Sequence, residues 1–127
     1  QVWAFKYEHE APGIDLHADQ ASWNLNLWPT DEAANADPEA GGLRLTHFRV
    51  PDDWPFERYN ATPDANRREL EERGVGATRV AYRGNRAVLF PSRYLHQTEP
   101  VRFRGRYAER RINMTFMADI IESRERS

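Results

Sequence analysis

Four histidines and no cysteine make up the nitrogen and sulfur donors of this chain, so a transition metal here would be held by imidazole and carboxylate. His17 and Asp19 lie two apart in a strand-like stretch, which sends both side chains to one face where they can share an ion. A third ligand must come from a distant strand lying alongside, and His96 follows the strand-like run Leu89-Phe90-Pro91-Ser92-Arg93-Tyr94-Leu95. Two imidazoles and one carboxylate leave three coordination positions open. That suits non-haem Fe(II) taking up a co-substrate and O2 together, whereas catalytic zinc usually keeps one open position. A lone His-x-Asp recurs in ordinary strands and turns, and its weight here comes from where the distal histidine falls. His9 and His47 have no carboxylate two residues away and are expected to be structural or exposed.

The run Arg111-Ile112-Asn113-Met114-Thr115-Phe116 alternates polar and apolar. Arg111, Asn113 and Thr115 therefore share one face of a strand, and Arg110 points the other way. A guanidinium turned into a barrel is costly unless paired, and a dicarboxylate gripped at its far end would supply the partner. Arg111 is the expected co-substrate residue. Tyr7 can offer a phenol to the same carboxylate, and Asn26 shares a strand face with Asn24, opposite Leu25 and Leu27.

These residues need strands to position them. Period-2 patterns between turn signals give strands over residues 2–8, 14–19, 23–28 and 43–50, then 78–82, 86–90, 94–103 and 111–118. Eight short strands with hardly any helix between them predict a mainly β fold, an antiparallel double-stranded β-helix or jelly roll of the cupin-like kind. One inserted surface helix is expected where Thr62 offers an N-cap, Pro63 the first helical position and Gly74 the C-terminal stop. Residues 31–42 read as a loop, and the charged stretch 119–127 as a frayed helix.

The 127 residues suffice for one domain. A formal charge of -2, with 18 basic and 20 acidic residues spread along the chain, calls for neither nucleic acid nor a membrane surface. No apolar run reaches the roughly 20 residues of a membrane helix and no signal-peptide pattern opens the chain, so a cytoplasmic protein is expected. Because Gln1 leads straight into strand-like sequence, an upstream segment is expected as well.

The chain resembles the 2-oxoglutarate and Fe(II)-dependent oxygenases over nearly its whole length. The likeness rests on Gly13-Ile14-Asp15-Leu16-His17-Ala18-Asp19, on Gly41-Gly42-Leu43, on residues 85–92 leading to His96, and on Pro100-Val101. The resemblance implies iron at His17, Asp19 and His96. It also implies that Arg111, with Asn113, fixes the far carboxylate of 2-oxoglutarate. Oxidative decarboxylation would yield succinate and CO2, and family members that halogenate lack the carboxylate that Asp19 supplies, so hydroxylation of a small molecule or a peptide side chain is the expected outcome. Residues 111–115 also resemble the Arg-x-Asn-x-Thr portion of AlkB-type demethylases. Met117 stands where those carry a second arginine, and no basic groove accompanies it, so no nucleic-acid partner is expected. The supporting helices that the family usually adds before the barrel are missing, which points to a homo-oligomer or to that upstream segment. The alternative is a non-redox cupin-like metal-binding module or isomerase, which could use the same barrel.

Overall fold

Strand β3 (Trp23–Trp28) alternates Asn24, Asn26 and Trp28 with Trp23, Leu25 and Leu27. The first set is buried and the second is not, so the polar side of this strand faces inward. The computed structural model describes residues 1–120, and the end of the charged stretch read as a frayed helix lies outside them. Around β3 the chain is mainly β, with antiparallel sheets and, among the described residues, two α-helices. The main sheet places β3 beside β6 (Arg86–Pro91) on one side and β9 (Ile112–Ala118) on the other, with β1 (Val2–Lys6) outside β9. A second sheet runs β5 (Ala77–Val80), β4 (Leu43–Arg49), β7 (Tyr94–Thr98). A short ribbon pairs β2 (Glu10–Ala11) with β8 (Val101–Arg102).

One core joins these sheets: Trp28 and Phe90 of the main sheet pack with Leu43, Val101, Tyr82 and Phe103. Trp28 stacks on Tyr82 at 5.2 Å between ring centroids, and Phe103 meets Tyr82 edge-on at 4.9 Å. A second core, of Leu16, Ala18, Phe48, Val50, Tyr59 and Leu95, takes in residues from α1 (Phe56–Asn60) and, at its margin, Leu70 of α2 (Pro63–Arg73). The outer face of the main sheet is apolar too. Val2, Phe116, Leu25 and Leu89 align across its four strands, with Ala4, Met114, Leu27 and Ala87 in the next row.

Several sequence expectations need correction. Residues 14–19 do not form a regular strand. Their backbone makes one isolated bridge, His17 to His96, and the pairing slips on either side of it: the Thr98 N–H goes to the Ile14 carbonyl and the Asp19 N–H to the Ser92 carbonyl, while the Asp15 and Tyr94 carbonyls are taken by the two histidine rings. The Leu16 N–H is taken by the Asp15 carboxylate, the Leu16 carbonyl by Asn66, and the Ala18 N–H donates to the Tyr59 carbonyl. The strand expected over 94–103 breaks into β7 and β8 at Glu99-Pro100, where proline has no N–H for a ladder and the Glu99 N–H donates to the Gly42 carbonyl at 3.0 Å. The insert carries two helices instead of one; α1 spans only five residues, too few to carry a helical period. The second runs from Pro63 to a left-handed Gly74 as its turn signals predict, but Thr62 does not cap it. Its hydroxyl donates back to the Arg58 carbonyl. No helix among the described residues is long and apolar enough to cross a membrane.

Gly42 sits where the two halves of the second sheet close. Its N–H donates to the Glu99 carboxylate at 3.0 Å, and a Cβ there would strike the Val80 carbonyl and crowd the Tyr82 amide. Gly42→Ala is therefore expected to lower the free energy of unfolding by about 2 kcal/mol or more. Gly105→Ala, where a Cβ meets nothing within 4 Å, should stay within ~0.5 kcal/mol. Urea denaturation of the two variants checks this.

Candidate metal centre

The alternation of residues 16–19 assembles the site. Leu16 and Ala18 drop into the helix-covered core, and His17 and Asp19 turn to the opposite side. The bridge to β7 then brings His96 across, with His17 N–H donating to the His96 carbonyl at 3.0 Å and His96 N–H donating to the His17 carbonyl at 2.8 Å. His17 Nε2 lies 3.6 Å from Asp19 Oδ1, and His96 Nε2 lies 3.3 Å from Asp19 Oδ2. The three ligand atoms fall within 4.8 Å of one another, close enough to hold one ion.

Each ring is oriented by its own backbone. His17 Nδ1 is 2.7 Å from the Asp15 carbonyl, and His96 Nδ1 is 2.7 Å from the Tyr94 carbonyl. Since a carbonyl only accepts, both Nδ1 atoms carry the proton and both Nε2 lone pairs face the shared point. Asp19 is held as firmly: Asn24 Nδ2 donates to Oδ2 at 2.7 Å, and Ser92 Oγ donates to Asn24 Oδ1 at 2.7 Å. Neither Asn24 nor Ser92 stands out as a supporter in the sequence. Asn24 could have been found from its shared strand face with Asn26, while Ser92 follows a proline and carries no signal.

Protonation favours metal binding. Burial, and then the neighbouring His96 ring, hold the His17 imidazole below the ordinary histidine value, against the opposing pull of Asp19. Burial disfavours the Asp19 carboxylate, but the adjacent His96 and His17 rings and the hydrogen bond from the Asn24 amide outweigh it and keep the group below the usual carboxylate value.

The triad opens on a small cavity of about 80 Å³ that is open to solvent on one side. Asn26 and Asn113, both expected at the site, line it with Thr115. These three form a bonded row: Asn113 Nδ2 donates to Thr115 Oγ1 at 2.7 Å, and Thr115 Oγ1 to Asn26 Oδ1 at 3.2 Å. Trp28 Nε1 supports the row by donating to Asn113 Oδ1 at 3.0 Å. Arg111 and Tyr7 do not reach the cavity wall. Arg111 lies one pleat step beyond Asn113, only 1 % exposed, with its guanidinium against the rings of Tyr7, Trp28 and Tyr82 at 4.9, 5.3 and 5.5 Å. Its Nε donates to the Gly41 carbonyl at 2.9 Å, whereas Nη1 and the Tyr7 hydroxyl are buried with no hydrogen-bond partner among the described residues. Burial pulls the guanidinium below its usual value, and the phenols of Tyr7 and Tyr82 resist that pull. His9 and His47 are both exposed and away from this site.

Known proteins offer no parallel to lean on. No family model, curated protein or solved structure matches the chain. The assignment of chemistry therefore rests on the geometry above.

Two outcomes are expected of the metal-free and metal-loaded protein. Asn24→Ala frees the Asp19 carboxylate, and competition with a chelator should show divalent-metal affinity falling by roughly 10- to 100-fold. The His17 ring should titrate, by NMR of the metal-free protein, below the ~6.5 of a free histidine. The unfolded chain then binds the extra proton, so stability should fall as pH drops from about 6.5 toward the folded value. His17→Gln should remove that slope in urea titrations run across the same window.

Proposed function

We propose that this chain is a jelly-roll oxygenase that holds Fe(II) at His17, Asp19 and His96 and uses 2-oxoglutarate and O2 to hydroxylate a C–H bond of a small molecule or peptide side chain. The observation that carries the reading is the pairing of the triad with a buried, incompletely bonded arginine and phenol one pleat step behind the same cavity. Either feature alone has ordinary explanations; a guanidinium with, among the described residues, Nη1 unpartnered and no carboxylate within ion-pair distance is expensive to bury, and a dicarboxylate anchored beside a metal would relieve it.

Strand order supports the fold assignment. Counting the His17 bridge as a strand, the eight long segments fall into two four-stranded layers, first-eighth-third-sixth and second-seventh-fourth-fifth in sequence order. We read that interleaving as a double-stranded β-helix; it brings the second and seventh segments, which carry the proposed ligands, side by side.

The donor set fits iron. Two imidazoles and one carboxylate with fixed tautomers are borderline-hard ligands, and the cavity leaves room on the open side for further oxygen donors. Bound Fe(II) would supply the oxidising chemistry, in which O2 converts 2-oxoglutarate to succinate and CO2 and its second oxygen atom enters the substrate as hydroxyl. The protein's own share is positional. His17 and His96 present Nε2, Asn24 keeps Asp19 from rotating, the Asn26, Asn113 and Thr115 row fixes the polar wall, and Arg111 and Tyr7, one step behind that wall, would hold the far carboxylate of a co-substrate reaching past it.

Adding Fe(II) and 2-oxoglutarate without oxygen should give a weak visible charge-transfer absorption, and admitting air should release succinate. Metal binding without that absorption would favour the non-redox cupin-like module. Arg111→Lys should raise the 2-oxoglutarate requirement at least about tenfold, the size of a lost charge-assisted pair. Arg110→Ala, at a side chain that already pairs with Glu8 at 3.1 Å, should leave it unchanged, and equal effects of the two would sink the assignment of Arg111.

A further inference from the structure

The cavity beside the triad has two unlike ends. Its inner wall is polar and largely bonded within itself, since Asn113 donates to Thr115 and Thr115 to Asn26. Its rim is apolar and open: Trp3 is 37 %, Phe5 49 % and Ile14 42 % exposed, and all three line the cavity that the metal ligands line. Register explains how they come to be there. Trp3 pairs with Thr115 and Phe5 with Asn113, so both share the inward face of the sheet, but β1 is its outermost strand and their rings project past the cover of the opposite layer. Ile14 approaches from the other side, where the Thr98 N–H donates to its carbonyl at 2.9 Å and the left-handed turn at Gly13, φ 82°, leaves no room for a Cβ against the Thr98 and Glu99 carbonyls.

Large apolar groups left exposed around one concavity mark a surface meant to be covered by a ligand. The charges present narrow its class. Apart from the three metal ligands, no ionisable side chain lines the cavity among the described residues. Arg111, behind the wall among three aromatic rings, is on the proposed reading the partner of the co-substrate's far carboxylate, so a further charged group brought in by the substrate would be desolvated without a partner.

We infer that the substrate presents a neutral apolar group, aromatic or branched aliphatic, between Trp3, Phe5 and Ile14, and that these three residues set specificity. The inference deepens the oxygenase reading and rests on it for the chemistry that follows binding. The binding itself does not need iron and can be measured without it. Phe5 also meets Tyr7 edge-on at 4.7 Å, so the rim is continuous with the end of the site proposed to hold the co-substrate carboxylate.

The test uses N-acetylphenylalanine amide as neutral probe and N-acetylphenylalanine as its anionic twin, titrated by ligand-observed NMR against the full chain without metal. The amide should bind about tenfold more tightly than the anion. Phe5→Ser and Ile14→Ser should each weaken the amide roughly fivefold. Leu89→Ser, at a side chain 63 % exposed on the outer face of the sheet, should leave it unchanged and controls for general loss of apolar surface. Equal binding of amide and anion, no binding of the amide, or the same loss from Leu89→Ser would overturn the inference. A missing Fe(II) and 2-oxoglutarate absorption in the same protein would instead strike the oxygenase reading and leave the rim result standing.

Discussion

Two backbone hydrogen bonds between His17 and His96 hold the site together. They join segments from opposite ends of the chain, and they do so at the ligand residues themselves, so the spacing between the two imidazoles is set by backbone pairing and only then refined by side-chain packing. Everything around them serves that pairing. Leu16 and Ala18 anchor one partner in the helix-covered core, and Leu95 anchors the other in the same cluster. Gly13 and Gly42 let neighbouring strands close in at positions where a Cβ would collide with carbonyl oxygens.

The main sheet reverses the usual arrangement in which a strand buries its apolar side. Asn24, Asn26, Arg111, Asn113 and Thr115 are buried, and the apolar rows through Leu25 and Met114 face outward. Such burial is tolerable only because most of the polar atoms bond one another. Among the inward groups of this sheet Arg111 Nη1 has no partner among the described residues, and the hydroxyl of neighbouring Tyr7, whose ring faces the guanidinium, has none either.

Much of this was legible in the sequence, for physical reasons that differ by element. Strands β3 and β9 were legible because strict alternation fixes both existence and phase, and phase alone put Arg111 inward and Arg110 outward. The triad was legible because the absence of cysteine left so few donors. What escaped was set by tertiary competition for backbone groups. Residues 14–19 alternate like a strand, yet the His17 and His96 rings take the Asp15 and Tyr94 carbonyls that a ladder on either side of the bridge would have used. The tether through Asn24 and Ser92 was invisible for a similar reason, since it depends on β3 and β6 being neighbours. The enclosure of Arg111 by three rings could not be read either, because Tyr7, Trp28 and Tyr82 are far apart along the chain.

Both ligand histidines bond the carbonyl two residues before them, so ring orientation is inherited from the local backbone and needs no distant partner. The chelator is pre-bent. Its arms lose their rotational freedom when the chain folds, not when the ion arrives, and an incoming metal therefore meets a finished half-shell. An ion is then selected by how well its preferred angles match that half-shell, since a rigid template cannot relax toward whichever cation binds nitrogen most strongly. On the proposed reading, the same rigidity would let a metal leave and return without the fold being remade.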